Sequence, residues 1–186
     1  MAQATTTAEP ITGWQIDSAH SGIDFSVRHL MISTVRGRFG SVSGMAGSLD
    51  AAGGVPTLEV TIDPASINTG NEQRDTHLRS ADFFDVETYP EMTFRATGID
   101  GDLNGEFTLT GDLTVRDVTK PISFAVEANG VTVDPWGNRR AGYSAHGKLS
   151  RSAYGLTWNQ LLEAGGVTVG DDVKFTVDVA LTQPMG

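Results

Sequence analysis

The sequence contains no cysteine, and this absence excludes disulfide bonds, catalytic thiols and thiolate metal sites. It also lacks any stretch that approaches the ~20 apolar residues of a membrane-spanning helix. The first ten residues, MAQATTTAEP, carry neither the basic residues nor the apolar run of a secretory signal peptide. We therefore expect a soluble cytoplasmic protein if Met1 is the native start, and a periplasmic or secreted one if the N-terminus was engineered.

Basic residues are scarce relative to acidic ones. The chain has 13 lysines and arginines against 23 aspartates and glutamates, and its formal net charge is −10. A surface of this sign repels phosphate backbones and anionic lipid head groups. We expect no nucleic-acid partner and no stable membrane insertion.

Long helical patterns and internal repeats are absent as well, which argues against βαβ units, propellers and solenoids. Apolar and polar residues instead alternate with a period of two, as at Ile23, Phe25 and Val27. Short turns rich in the 22 glycines separate about eight to ten such stretches. The pattern predicts an all-β protein built as one closed antiparallel barrel, with a two-sheet sandwich as the alternative. Residues 1–12 are predicted to be a flexible tail, and residues 13–183 a single domain.

One segment, from Ser66 to Phe94, does not alternate. It concentrates charged residues and then aromatic ones, and we expect a short helical excursion at about residues 66–85. Across a barrel mouth, such a helix would keep its polar face in water and its apolar side over the cavity. Arg74 and His77 would then be donors for a ligand head group. A solvated helix with one apolar contact is the alternative.

Signatures of catalysis and metal binding are missing. The four histidines, His20, His29, His77 and His146, have no metal-binding spacing, and no G-x-S-x-G motif occurs. We expect no metal, no cofactor and no catalytic residue. An enzyme that uses Asp75 and His77 as an acid–base pair is kept as an alternative.

Several positions predicted to face inward carry small side chains: Gly37, Gly111, Ala141, Ala145 and Gly147. Such residues either let a curved sheet close or leave room for a long apolar guest. Both explanations stay open at this point.

A series of short motifs over about residues 13–181 resembles the YceI family, bacterial lipocalin-like proteins associated with binding polyisoprenoids. In order, the motifs are Trp14-Gln15-Ile16-Asp17, His20-Ser21, Phe25-Ser26-Val27-Arg28-His29-Leu30, Gly37-x-Phe39, Ser66-Ile67-x-Thr69-Gly70, Arg74-Asp75-x-His77-Leu78, Asp82-Phe83-Phe84-Asp85, Tyr89-Pro90, Met92-Thr93-Phe94, Gly111-Asp112-Leu113-Thr114-Val115, Val118-Thr119-Lys120-Pro121, Arg151-Ser152, Tyr154-Gly155-Leu156 and Gly170-Asp171-Asp172-Val173. Each motif is weak alone, but their order and spacing together are specific.

The resemblance implies an eight-stranded antiparallel lipocalin-like barrel around an elongated apolar tunnel, with no established catalytic residues. It also implies a bound polyisoprenoid or isoprenoid quinone-like lipid that is transported or sequestered, and a homodimer. We expect the tunnel to be lined by Phe25, Phe39, Phe83, Phe84, Phe94, Phe124 and Trp158. His29, Arg74 and His77 are expected near its mouth. The alternatives are an enzyme that acts on an isoprenoid or fatty-amide ligand, and a structural barrel that binds protein partners.

Overall fold

The computed structural model describes residues 13–48 and 57–184. The predicted tail at 1–12 lies outside the described residues, and so does Ala51-Ala52-Gly53-Gly54, whose sequence predicts a turn. Eleven strands and one α-helix follow along the chain: β1 Trp14–Ile16, β2 Gly22–His29, β3 Ser33–Phe39, β4 Val42–Ser48, β5 Thr57–Ile62, β6 Ile67–Asn68, α1 Glu72–Arg79, β7 Met92–Gly101, β8 Glu106–Val115, β9 Val118–Val133, β10 Arg139–Ser150 and β11 Val169–Gln183. Short 3-10 turns occupy Pro64–Ser66 and Ser152–Tyr154.

The strands close into a barrel in which three strand positions are each formed by two consecutive strands. β1 and β2 both pair with β11, the former at its C-terminal end and the latter along its first part. In the same way, β3 and β4 together form one strand position, and β5 and β6 form the next. β6 pairs with β3, and β5 pairs with β4. Counting each interrupted pair once leaves eight antiparallel strand positions in a closed ring. The predicted eight-stranded barrel is confirmed, and the sandwich alternative is wrong.

The predicted helical excursion is also confirmed, as the eight-residue helix α1 between β6 and β7. The side chain of Asn71 caps its N-terminus by accepting a hydrogen bond from the backbone N–H of Arg74, at 3.0 Å. At the other end, the Ser80 N–H donates to the His77 carbonyl. The Arg79 guanidinium donates to the carbonyls of Ala65 and Ile67, so the helix is fastened to the chain that precedes it.

Phenylalanine rings occupy the space over three of the inward glycines. A Cβ would lie 2.3–2.7 Å from a ring atom of Phe25, Phe94 or Phe175 if it were added at Gly37, Gly111 or Gly147 respectively. Only a residue without a side chain admits this close approach. The hypothesis that these glycines leave room for a guest is therefore wrong, because the protein's own rings fill that room.

An arginine joins two turns at the end of the barrel opposite to α1. The Arg140 side chain donates to the carboxylates of Asp17 and Asp134, the second at 2.8 Å. Burial by itself raises the pKa of Asp134, but hydrogen bonds from the Asn138 N–H and from Arg140 outweigh it and bring the pKa to about 2. This end of the barrel is therefore held by charge-assisted bonds as well as by packing.

Candidate functional site: an apolar cavity inside the barrel

A cavity of about 270 Å³ lies inside the barrel. A single water needs only about 10–15 Å³ of such space, so the volume exceeds an ordinary packing defect by an order of magnitude. Alternate residues of β11, namely Val173, Phe175, Val177 and Val179, face it from one side. Leu78 of α1 closes part of one end. The two-residue period seen in the sequence thus produces one apolar inner wall.

The wall presents no polar atom to the cavity. Its residues are aliphatic or aromatic except for one charged side chain, Arg151, whose guanidinium is turned onto backbone carbonyls. Tyr143 and Tyr154 also belong to the wall, and burial raises the pKa of both phenols. Polar ligand groups would find no hydrogen-bond partner here, whereas a hydrocarbon chain would lose only its contact with water.

Six of the seven residues expected to line a tunnel lie in this wall: Phe25, Phe39, Phe83, Phe84, Phe94 and Phe124. Their contact with a ligand stays a prediction. Near α1, the ring of Phe39 stands between those of Phe25 and Phe84, with centroids 5.4 and 5.6 Å away. Farther along, Phe124 contacts Phe94 at 5.3 Å. The rings therefore support one another around the cavity.

Trp158, the seventh residue, is not part of the wall. Its ring packs edge-to-face on His77, with centroids 4.6 Å apart, and also contacts Phe83 at 5.4 Å. His77 belongs to α1 and Trp158 to the long loop between β10 and β11. The rings of His77 and Trp158 thus join two separate segments at the α1 end of the barrel and contact Phe83 of the cavity wall.

The three residues expected at a polar mouth do not face the cavity. The His77 imidazole is hydrogen-bonded through Nε2 to the Asp82 carboxylate at 2.8 Å. The Arg74 guanidinium donates to the hydroxyl and the carbonyl of Thr69. His29 ends β2 opposite Val169 of β11. A head-group role for these residues stays a prediction, and two of the side chains already have protein partners.

Asp75 and His77 are not arranged as an acid–base pair. Asp75 is 3% exposed, and its carboxylate accepts hydrogen bonds from the N–H and the hydroxyl of Thr69, the latter at 2.6 Å. His77 is bonded to Asp82 instead. The Asp75 carboxylate therefore positions the turn that leads into α1.

Arg151 is the functional residue whose role the sequence did not reveal. It is 6% exposed, and its guanidinium donates to the carbonyls of Leu156, Trp158, Val169 and Gly170. Burial lowers the pKa of Arg151, while the nearby Asp171 carboxylate raises it. The only signal was the Arg-Ser-x-Tyr-Gly-Leu motif, which carries no information on burial. Arg151 fastens both ends of the loop between β10 and β11 at one end of the cavity.

Among residues 13–48 and 57–184, no group of three or more acidic, histidine or cysteine side chains is placed to hold a metal ion. Over those same ranges, no helix has the length and apolar character needed to cross a membrane.

Residues 14–181 match the model of the YceI-like domain. The chain belongs to the YceI family. It is 39% identical over 169 residues to a UPF0312 protein of Staphylococcus aureus strain USA300, which covers 89% of this chain and 94% of the relative. The crystal structure of a Campylobacter jejuni YCEI protein superposes with a TM-score of 0.69 at 33% identity, over 85% of this chain and 90% of that one.

A solved structure with lower sequence identity has the same fold. The polyisoprenoid binding domain from Saccharophagus degradans gives a TM-score of 0.67 at 16% identity, and the match covers 93% of this chain and 99% of that domain. The two proteins therefore share the barrel fold although they share little of the sequence.

Proposed function

We propose that the barrel binds a long-chain apolar ligand, a polyisoprenoid or isoprenoid quinone-like lipid, and transports or sequesters it without catalysis. The observation that carries the proposal is a cavity wall that presents no polar atom. The description of the Saccharophagus degradans domain as polyisoprenoid-binding supports the same ligand class. The separate partners of Asp75 and His77 favour binding over acid–base chemistry.

The energetics favour such a ligand but limit the selectivity. Burial of one CH₂ group contributes about 0.8 kcal/mol, so each five-carbon isoprene unit would contribute about 3–4 kcal/mol before ordering costs. The loss of chain flexibility offsets much of this gain. Since the interaction is not directional, the cavity should select for apolar chains and discriminate weakly between their head groups.

Native mass spectrometry tests the proposal directly. We expect the purified protein to carry a hydrophobic small molecule that organic extraction removes, and the extracted protein to bind added farnesol. Farnesene, the corresponding hydrocarbon, should bind within about ten-fold of farnesol because no wall atom can recognise the hydroxyl. A preference for farnesol of a hundred-fold or more would contradict a purely apolar site.

Side-chain volume at Ala145 offers a graded test. Ala145 lines the cavity and is 6% exposed, so Ala145→Val, Ala145→Leu and Ala145→Phe fill it in steps. We expect farnesol affinity to fall with each step, by about ten-fold or more for phenylalanine. His146→Leu is the matched control, because it adds an apolar side chain to the exposed face of the same strand. Equal affinity across the series would place the ligand outside the cavity and refute the proposal.

A further inference from the structure

The turn between β2 and β3 exposes large apolar side chains at one end of the barrel. Met31 is 57% exposed and Ile32 is 81% exposed. Leu161, on the neighbouring loop between β10 and β11, is 82% exposed. The backbone N–H of Leu30 donates to the Thr168 carbonyl at 2.8 Å, so the turn and the loop are joined. We call Met31, Ile32 and Leu161 the apolar tip.

The backbone of this turn is unfavourable for the residues that form it. Leu30 and Met31 have φ values of 52° and 61°, and the Ile32 N–H donates to the His29 carbonyl. Two successive positive φ values characterise a type I′ turn, for which Asn-Gly is strongly preferred. Large apolar side chains are strained in this conformation. The turn therefore carries residues that neither its backbone geometry nor its exposure to water favours.

The hairpin behind the apolar tip is basic, although the protein as a whole is acidic. The hairpin of β2 and β3 carries three arginines, Arg28, Arg36 and Arg38, and one acidic residue, Asp24, which lies opposite Arg38. All three arginines are exposed. Within the described part of the chain, none of them forms an ion pair; Arg28 donates to the Met31 carbonyl and the Thr34 hydroxyl. An apolar edge next to unpaired arginines is the arrangement that proteins use at lipid–water interfaces.

The apolar tip lies at an end of the cavity. Val27, three residues before Leu30, lines the cavity from β2. Val169, which immediately follows Thr168, lines it from β11, and Leu156 lines it from the same loop that carries Leu161. A lipid surface held against the tip would therefore stand beside the end of the apolar cavity.

We propose that the apolar tip and the three arginines form a docking surface for a phospholipid bilayer. The apolar side chains enter the boundary between head groups and acyl chains, and the arginines contact lipid phosphates. The net charge of −10 disfavours a uniform approach to an anionic surface, but the basic hairpin gives one orientation in which phosphates are met by positive charge. Docking is reversible and peripheral. Its purpose, the exchange of a lipid chain with the cavity, rests on the proposed function; the docking itself does not.

A fluorophore placed at the tip tests the docking directly. Because the chain has no cysteine, Ile32→Cys can be labelled at a single site with an environment-sensitive dye. With phosphatidylcholine vesicles we expect a blue shift and an increase in emission at this site. Val133→Cys is the matched control, since Val133 is 56% exposed on the hairpin between β9 and β10, at the opposite end of the barrel. No change at position 32, or an equal change at both sites, would overturn the proposal.

Vesicle co-sedimentation separates docking from fold stability. Replacing the turn by its favoured sequence, Leu30→Asn with Met31→Gly, should raise the melting temperature because strain is relieved. The same change should weaken vesicle binding by about ten-fold or more, because apolar contact is lost. The control, Val131→Ser with Val133→Ser, removes similarly exposed apolar side chains and should leave vesicle binding unchanged. Equal binding by the turn variant and the native protein would refute the docking surface.

The arginines provide a further arm of the test. With vesicles that also contain phosphatidylserine, Arg36→Gln with Arg38→Gln should weaken binding by about five-fold per charge removed, and added salt should reduce the difference. Farnesol binding by these variants in solution should remain native. If the variants lost farnesol binding but kept vesicle binding, the docking proposal would be wrong. If the native protein docked on vesicles but did not bind farnesol, the docking proposal would stand and the proposed ligand would be wrong.

Discussion

Replacement of Arg151 by methionine removes a guanidinium that holds one end of the barrel together. The side chain is 6% exposed and donates four hydrogen bonds to backbone carbonyls, at 2.6–3.2 Å. Two acceptors, Leu156 and Trp158, begin the long loop between β10 and β11, and two, Val169 and Gly170, end it. Methionine fills much of the same volume but satisfies none of these carbonyls.

The magnitude follows from the number of bonds. An intramolecular hydrogen bond contributes about 1 kcal/mol net, and an unsatisfied buried acceptor costs about as much or more. Four bonds at Arg151 therefore correspond to about 4 kcal/mol of unfolding free energy, reduced where water reaches the freed carbonyls. Since domains have about 5–15 kcal/mol in total, Arg151→Met should remove much of the stability of the barrel.

Urea unfolding followed by circular dichroism measures this loss. We expect Arg151→Lys to lie between the native protein and Arg151→Met, because an ammonium group keeps the charge but cannot match four acceptors in a planar fork. His146→Leu, on the outer face of β10, serves as the control for a substitution that does not touch the loop between β10 and β11. A loss smaller than about 1 kcal/mol in Arg151→Met would refute the assignment of Arg151 as the residue that holds the loop.

Two further outcomes are expected. Arg140→Ala should raise the pKa of Asp134 from about 2 towards 3.8. The stability from this carboxylate, complete above about pH 4 and lost as pH falls through about 2, should then become smaller, because the folded and unfolded pKa values approach each other. Arg95→Ala should leave the pKa of Asp134, followed by NMR, unchanged. Gly111→Ala should lower the unfolding free energy by about 2 kcal/mol, because its Cβ would lie 2.5 Å from the Arg95 carbonyl oxygen. Gly98→Ala is the control, since the space at that position is open, and it should lower the unfolding free energy less. Equal losses in the two variants would contradict the steric argument.

The sequence predicted the architecture well because alternation is a local property. Val173, Phe175 and Val177 follow one another at a spacing of two, and this spacing alone puts them on one face of β11. The same regularity holds for Phe25 of β2, whereas Phe83 and Phe84 of the wall belong to the segment that does not alternate. The prediction that Trp158 lines the cavity was wrong because Trp158 lies on a loop, and the spacing of residues along a loop does not indicate which of them face the interior.

Other features depend on contacts that sequence spacing does not encode. Arginine is almost always exposed, so nothing in residue type predicted that Arg151 is buried beneath a loop. Leu30 ends one of the family motifs and Met31 lies outside it, and the positive φ values of both residues could not be inferred from residue types that usually avoid them. Gly147 was assigned to the interior, but the ring of Phe175 that covers it comes from the neighbouring strand.

By itself, the sequence determined the antiparallel β-fold, the position of the helix and the family. It did so because alternation, turn chemistry and motif order are all properties of the linear sequence. Only the tertiary structure decided that the cavity wall presents no polar atom, that Arg74 and His77 are bound to protein partners away from it, and that an apolar turn stands beside unpaired arginines. These properties arise from the closure of the barrel, which brings together residues far apart in sequence and turns the apolar faces of the strands inward.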